Sequence, residues 1–265
     1  TACSSPLPES WHKQAVNAEN LLIEWQDQEQ PLFCTNGGSM FAAPRSQTDL
    51  TNILAKYSNA TMVAGATDIG LWITKLGRRI QEVIYLGHVL ELQRIVKKDT
   101  SIEIGASVSL QNAASALISI VPDFDRLVRR FGSRQIRSQA TVCGNIANGS
   151  PVGDLPPAFI ALGAKLRIAS ASGVREIQLE EFFVSYGKQD LAVGEYVESV
   201  VIPIEPALQF RCWKVSKRFD QDISAVLGAF AAKVENGVIN RARICFGGMA
   251  TTPKRAKKCE AVLSG

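Results

Sequence analysis

The sequence predicts a mixed helix-and-strand protein in two units, an α/β first unit and a strand-rich second one. Two observations carry this. Between Thr48 and Leu86 the chain runs helix, strand, glycine turn, helix, strand, the order of an α/β layer. Beyond Glu205-Pro206, three segments of strand character follow one another. Asn236-Gly237 joins the last two, a strong type I′ hairpin signal.

Residues 1–36 are expected to form an arm or linker. Pro6 and Pro8 punctuate it, Glu9 to Trp25 has a rough helical pattern, and Asn36-Gly37-Gly38 breaks the chain. A main unit then covers 37–205 and a second unit 206–265. Thr48 to Tyr57 is an amphipathic helix, because Leu50, Ile53, Leu54 and Tyr57 recur at i, i+3, i+4 and i+7. Thr61 to Ala64 is a short buried strand. Gly65 to Gly70 turns out of it into a helix bearing Leu71, Trp72 and Ile73, and Glu82 to Leu86 is the next strand. Ile102-Glu103-Ile104 alternates as a strand does. Ser109 can cap a helix reaching about Ile120, and Pro122 opens another reaching about Phe131.

Thr141 to Pro151 is expected to be a loop, since it holds Gly144, Asn145, Asn148 and Gly149. Lys165 to Ala169 and Arg175 to Leu179 pair as a hairpin around Ser172-Gly173, and Tyr196 to Pro203 is a further strand. In the second unit the strands are Phe210 to Ser216, Ala225 to Val234 and Val238 to Phe246. Pro253 to Leu263 is a helix starting up where the chain stops, so this unit is expected to be incomplete. The missing initiator Met likewise points to a fragment or processed piece.

Composition narrows the function. Against 29 Lys+Arg stand 25 Asp+Glu, a surplus of +4 with no dense basic run, which argues against a nucleic-acid partner. No segment approaches the roughly 20 apolar residues of a membrane span, and no signal-peptide pattern opens the chain. Cysteines at 3, 34, 143, 212, 245 and 259 form no C-x-x-C pair, and His12 and His88 are isolated. Metal sites need such short spacings, so the expectation is free thiols in a reducing cytoplasm and no bound metal. Arg126, Arg129, Arg130, Arg134 and Arg137 form a loose basic cluster. A solvated helix face is the plainer reading of it, a site near an anion the sharper one.

Three stretches could carry chemistry. Gly65 to Gly70 follows a strand and opens a helix, where backbone N–H groups and the helix dipole favour an anion. Gly144 to Pro151, followed by Asp154, combines close backbone approach with uncharged donors and acceptors, which suits a diphosphate or a sugar. Ser216 to Asp222 is a charged stretch around Phe219. No Ser-His-Asp set, Cys-His pair or zinc-peptidase pattern occurs, so a bound cofactor is the expected source of chemistry. Each stretch also has a plain reading, as a tight turn, an Asn/Gly-rich turn and an exposed loop.

Ala64-Gly65-Ala66-Thr67-Asp68-Ile69-Gly70, Gly144-Asn145-Ile146-Ala147-Asn148-Gly149-Ser150-Pro151-Val152-Gly153-Asp154 and Lys217-Arg218-Phe219-Asp220-Gln221-Asp222-Ile223-Ser224 stand in a telling order. In order and spacing they closely resemble the FAD domain of xanthine dehydrogenase small subunits, in the molybdenum hydroxylase family. The resemblance runs from about residue 38 to the end, and the three motifs together are far more specific than any one.

It implies an α+β fold of the vanillyl-alcohol-oxidase type, two subdomains clasping FAD, then an α+β C-terminal subdomain. It implies that Met62, Val63, Ala64, Gly65, Ala66, Thr67, Asp68 and Ile69 cover the diphosphate and that Phe131 lies beside the flavin. Thr141, Gly144, Asn145, Asn148 and Asp154 fall on the second FAD loop, and Val197 and Lys214 on later cofactor contacts. Arg218, Gln221 and Asp222 fall where the family brings NAD to the flavin. The implied partners are a molybdenum-binding large subunit and a 2Fe-2S domain. Cys143 departs from the pattern, standing where glycine is common, so the backbone there is expected to approach FAD less closely. The cysteine spacing of the iron–sulfur domain that usually precedes the FAD domain is also missing. Two alternatives stay open: the flavin subunit of another molybdenum hydroxylase, of carbon monoxide dehydrogenase or aldehyde oxidase type, and a non-enzymatic assembly subunit that has lost FAD.

Overall fold

A computed structural model describes residues 9–26 and 30–263. Cys3, Pro6 and Pro8 lie outside the described residues. The expected first helix is α1 (Glu9–Gln26). Strands β1 (Leu32–Asn36) and β2 (Ser39–Ala43) then pair antiparallel, and the break at Gly37-Gly38 is their hairpin turn, with φ of 55° and 82°. Residues 32–36, expected in the arm, are therefore an edge strand of the first sheet. Every residue of β1 is exposed, so no buried alternation marks it in the sequence.

Helix α2 (Gln47–Lys56) opens on a capping box: the Ser46 hydroxyl accepts the Asp49 N–H, and the Asp49 carboxylate accepts the Ser46 N–H. Its apolar face buries Leu50 and Leu54. Strand β3 (Thr61–Val63), helix α3 (Ile69–Thr74) and strand β4 (Glu82–Tyr85) complete the layer. The sheet order is β1-β2-β4-β3, with β4 parallel to both neighbours. Parallel pairing needs crossovers, and α2 and α3 supply them.

The second sheet begins with β5 (Ile95–Lys97) and β6 (Ser101–Gly105). Helices α4 (Leu110–Ile120), α5 (Phe124–Arg130), α6 (Arg134–Gln139), α7 (Val142–Ala147) and α8 (Leu155–Leu162) follow. Strands β7 (Lys165–Ser170) and β8 (Gly173–Gln178) make the expected hairpin, β9 (Phe183–Ser185) and β10 (Lys188–Gln189) a small separate one, and β11 (Tyr196–Pro203) returns to the sheet centre in the order β5-β6-β11-β7-β8. The expected loop from Thr141 is thus a short helix. Thr141 caps it by accepting the Gly144 N–H, and Val142, Cys143 and Ile146 are buried beneath it; packing overrides the low helix propensity of its Gly and Asn. Helix α8 is an addition to the elements expected from the sequence; its Pro156 and Pro157 sit in the first turn, where no N–H is needed, and every residue of it is buried.

The third sheet is β12 (Leu208–Val215), β13 (Val226–Glu235), β14 (Val238–Gly247) and β15 (Lys254–Arg255), all antiparallel, followed by α9 (Lys257–Leu263). Asn236 and Gly237 take φ of 53° and 80°, the type I′ turn read from the sequence. The Phe124 ring of α5 stands 5.6 Å from that of Phe159 in α8 and 5.7 Å from that of Phe210 in β12. One core therefore runs from the helices of the main unit into the third sheet.

Candidate cofactor site

The first and second sheets flank a cavity of about 550 Å³. Its walls include the turn after β3, the end of α5, the start of α7 and the start of β11. Met62, Ala64, Gly65, Ala66, Thr67, Asp68 and Ile69 line it from one side; Phe131, Thr141, Gly144, Asn145, Asn148 and Val197 line it from the others. The two glycine stretches, far apart in sequence, thus face one space.

Backbone contact fixes how they meet. A Cβ on Gly65 would lie 1.8 Å from the Gln139 carbonyl oxygen and 3.2 Å from the Ala140 Cα, so the first turn sits directly on the chain leading into α7. Ala66 holds φ at 58°, the left-handed region that costs an alanine about 1 kcal/mol. Such strain persists where surrounding structure enforces it, and it gathers at ligand sites. On the other wall, the Thr141 hydroxyl accepts the Gly144 N–H at 3.0 Å, and the Asn145 side-chain oxygen accepts the Leu155 N–H at 3.1 Å, capping α8 from a distance.

Asn145→Ala is therefore expected to lower stability by about 1 kcal/mol even without a ligand, as loss of a cap does. Urea denaturation reads this directly; an unchanged midpoint would mean that the Leu155 N–H has another acceptor.

Trp72, Leu86, Ile136, Leu191 and Tyr196 also line the cavity and were not singled out in the sequence. Tyr196 is the most legible of them in hindsight, since it precedes Val197. A β-bulge between Val197 and Ser199 breaks the strict alternation of β11 there. The buried Tyr196 phenol is pushed up by desolvation while the side chains of Thr51 and Gln47 bond it.

The remaining expected residues lie elsewhere. Val63 is not among the cavity walls. Asp154 and Lys214 form a buried ion pair, Nζ to Oδ2 at 2.6 Å, and the Ser224 hydroxyl donates to the other Asp154 oxygen at 2.5 Å. This pair joins the start of α8 to β12 and so ties the main unit to the third sheet. Arg218, Gln221 and Asp222 sit on an exposed loop that does not line the cavity. The Arg218 N–H donates to Asp222 at 2.8 Å, and Gln221 takes φ of 51°. Hydrogen bonds from the Arg218 main chain and side chain hold the half-buried Asp222 carboxylate below its ordinary range.

The basic cluster divides. Arg129 pairs with Asp125 at 2.9 Å on the surface, while Arg126 and Arg134 are exposed. Arg130 and Arg137 instead donate to main-chain carbonyls, among them those of Phe219 and Phe131. Neither plain alternative from the sequence, solvated face or anion site, covers these two.

Residues 36–205 match the family described as the FAD binding domain in molybdopterin dehydrogenase, and residues 211–265 match the CO dehydrogenase flavoprotein C-terminal domain. The chain belongs to the FAD-binding family of molybdopterin dehydrogenases. A xanthine dehydrogenase of Emericella nidulans is 29% identical over 91% of this chain and 19% of its own length. A nicotinate hydroxylase of the same organism is 28% identical over 84% of this chain and 18% of its own length. The chain thus spans about a fifth of the curated relatives it matches. A CO dehydrogenase structure from Oligotropha carboxidovorans superposes with a TM-score of 0.80 at 24% identity, covering 88% of this chain and 82% of that one. That likeness shows the fold, the α+β arrangement expected from the resemblance.

FAD is the cofactor of this family, and the cavity fits it. Gly65 and Gly144 bring two helix-leading turns to the cavity wall, which suits a diphosphate, and the apolar rings suit a flat heterocycle. Among the described residues no group of three His, Cys, Asp or Glu side chains is placed to hold a metal, and no helix is long and apolar enough to cross a membrane. Cys34, Cys143, Cys212, Cys245 and Cys259 are free thiols.

Cys143 borders the cavity, but its thiol turns into the core, 3.7 Å from the Ile104 carbonyl oxygen, and burial pushes it up to about 12. It is no nucleophile at neutral pH. Acid precipitation is therefore expected to release all the flavin. Yellow colour retained in the pellet would point to a covalent bond at this position.

Proposed function

We propose that this chain is the FAD-binding part of a xanthine dehydrogenase. Electrons from purine hydroxylation at a molybdenum centre, carried by a large subunit, reach it through a 2Fe-2S domain and leave for NAD. The observation that carries this reading is the convergence of Gly65–Ile69 and Thr141–Asn148 on one cavity. Relatives named xanthine dehydrogenase, such as that of Oryza sativa at 30% identity over 86% of this chain, support the substrate.

On this reading residues 37–205 hold FAD and 206–265 form the flavoprotein C-terminal subdomain. FAD supplies a redox centre able to accept electrons from one partner and pass them to another. The chain's own residues bind and position it. The Met62–Ile69 turn offers backbone N–H groups to the diphosphate, with Ala66 held in its left-handed conformation. Gly144 lets the α7 backbone come close, and Asn145 and Asn148 offer uncharged polar groups. Phe131, Val197 and Tyr196 exclude water from the rings. Asp154 and Lys214 keep the third sheet seated on α8, which sets where the Arg218, Gln221 and Asp222 loop meets an acceptor. The free thiols agree with a cytoplasmic location.

The visible spectrum of the purified chain is the first test, since a flavin spectrum excludes the reading as an assembly subunit that has lost FAD. Turnover of xanthine with NAD, after the molybdenum and iron–sulfur partners are added, is the second. A different molybdenum hydroxylase is the other reading, favoured by the nicotinate hydroxylase relative. Faster turnover of nicotinate than of xanthine in the same assembly would replace the first reading with it.

A further inference from the structure

We infer that Arg130 is a positioning residue that clamps the charged loop 216–222 to the end of α5, and so fixes the electron acceptor's docking loop relative to the flavin cavity. The inference rests on the acceptor role proposed above for that loop.

The geometry is specific. Arg130 Nε donates to the Phe219 carbonyl at 3.2 Å, one Nη donates to the Lys214 carbonyl, and the other donates to the Ser216 hydroxyl at 2.8 Å. The guanidinium also lies 4.8 Å from the centre of the Phe219 ring. One side chain therefore grips the end of β12, the loop entrance and the loop middle. Within the loop, the Ser216 hydroxyl donates to the Arg218 carbonyl at 2.6 Å, so the clamp reaches Arg218 through one further bond.

The other end of the clamp is equally defined. Phe131, the next residue, ends α5 and lines the cavity. Arg137 of α6 holds the turn itself, donating to the Phe131 carbonyl at 2.9 Å and to that of Gly132 at 3.3 Å. The turn that carries Phe131 into the cavity is thus tied to the loop through its neighbour Arg130 and to α6 through Arg137.

The loop needs such an anchor. Phe219 is 73% exposed and Ile223 68%, and a segment with so few buried contacts opens locally unless something holds it. A planar fork reaching three acceptors and an aromatic face is a task for arginine, and lysine, a single point charge, cannot reproduce it.

The test uses the complete enzyme carrying this chain, as Arg130→Lys and Arg130→Met, with FAD content and spectrum confirming the fold of each. Trypsin cleavage after Lys217 or Arg218 is expected to speed up roughly tenfold in both variants, because the loop opens more often. The KM for NAD is expected to rise roughly tenfold while kcat moves less than about twofold, the pattern of lost acceptor positioning. Cleavage at the parent rate would overturn the clamp. A loosened loop with an unmoved KM would sever its link to the acceptor. A parent enzyme that reduces no NAD would sink the acceptor reading beneath both, and the trypsin result would then decide the clamp by itself.

Discussion

Gly65→Ala is expected to cost about 3 kcal/mol, at the upper end for forcing extra atoms into a packed site, and to weaken FAD binding more than about 100-fold. The added methyl would stand 1.8 Å from the Gln139 carbonyl oxygen and 2.6 Å from its carbon. Both are main-chain atoms at the end of α6, so no rotamer change can relieve the clash. The two walls of the cavity must separate, and every group aimed at the cofactor from either side then moves. Gly70→Ala is the control. Nothing lies within 4 Å of a Cβ at Gly70, which is helical, so that variant is expected to match or slightly exceed the parent in stability. Flavin fluorescence titration and thermal denaturation of both variants make the measurement. A Gly65→Ala protein with parental FAD affinity would show that the two walls do not meet as described.

Lys214→Met should be the second severe change, at about 3–5 kcal/mol, the usual cost of leaving one charge of a buried pair without its partner. The side chains of Lys214 and Asp154 are 4% and 7% exposed, and the Ser224 hydroxyl alone would remain to satisfy the Asp154 carboxylate. Asp154→Leu is expected to be as damaging, because it strands the ammonium. The double variant Asp154→Leu/Lys214→Met should recover most of the loss, since two apolar side chains in one buried space need no counter-charge. Urea denaturation of the three proteins gives the cycle. Singles that lose less than about 1 kcal/mol would mean that water reaches the pair. FAD titration of the same set separates two roles. If the double variant regains stability and still fails to bind FAD, these residues touch the cofactor; if it regains both, they act by holding the third sheet in place.

Much of the architecture is written in short-range patterns. Leu50, Ile53, Leu54 and Tyr57 announced α2 because an amphipathic helix repeats within a few residues. Asn236-Gly237 announced its hairpin because a type I′ turn needs left-handed φ at both positions. The two glycine stretches and their order marked a cofactor site, and with the charged loop they resembled one family of FAD domains.

Tertiary structure decided the rest. Strand β1 carries no buried face, so only its pairing with β2 reveals it. Helices α7 and α8 form against local propensity, one through the Thr141 cap and a buried underside, the other through complete burial with its prolines in the first turn. Asp154 and Lys214 stand 60 residues apart, and Arg130 and Lys214 stand 84 apart. No periodicity links positions so distant. Folding alone turned two of five neighbouring arginines from surface charges into donors for main-chain carbonyls, because a guanidinium carries several N–H donors in a fixed fork that can reach acceptors on more than one segment.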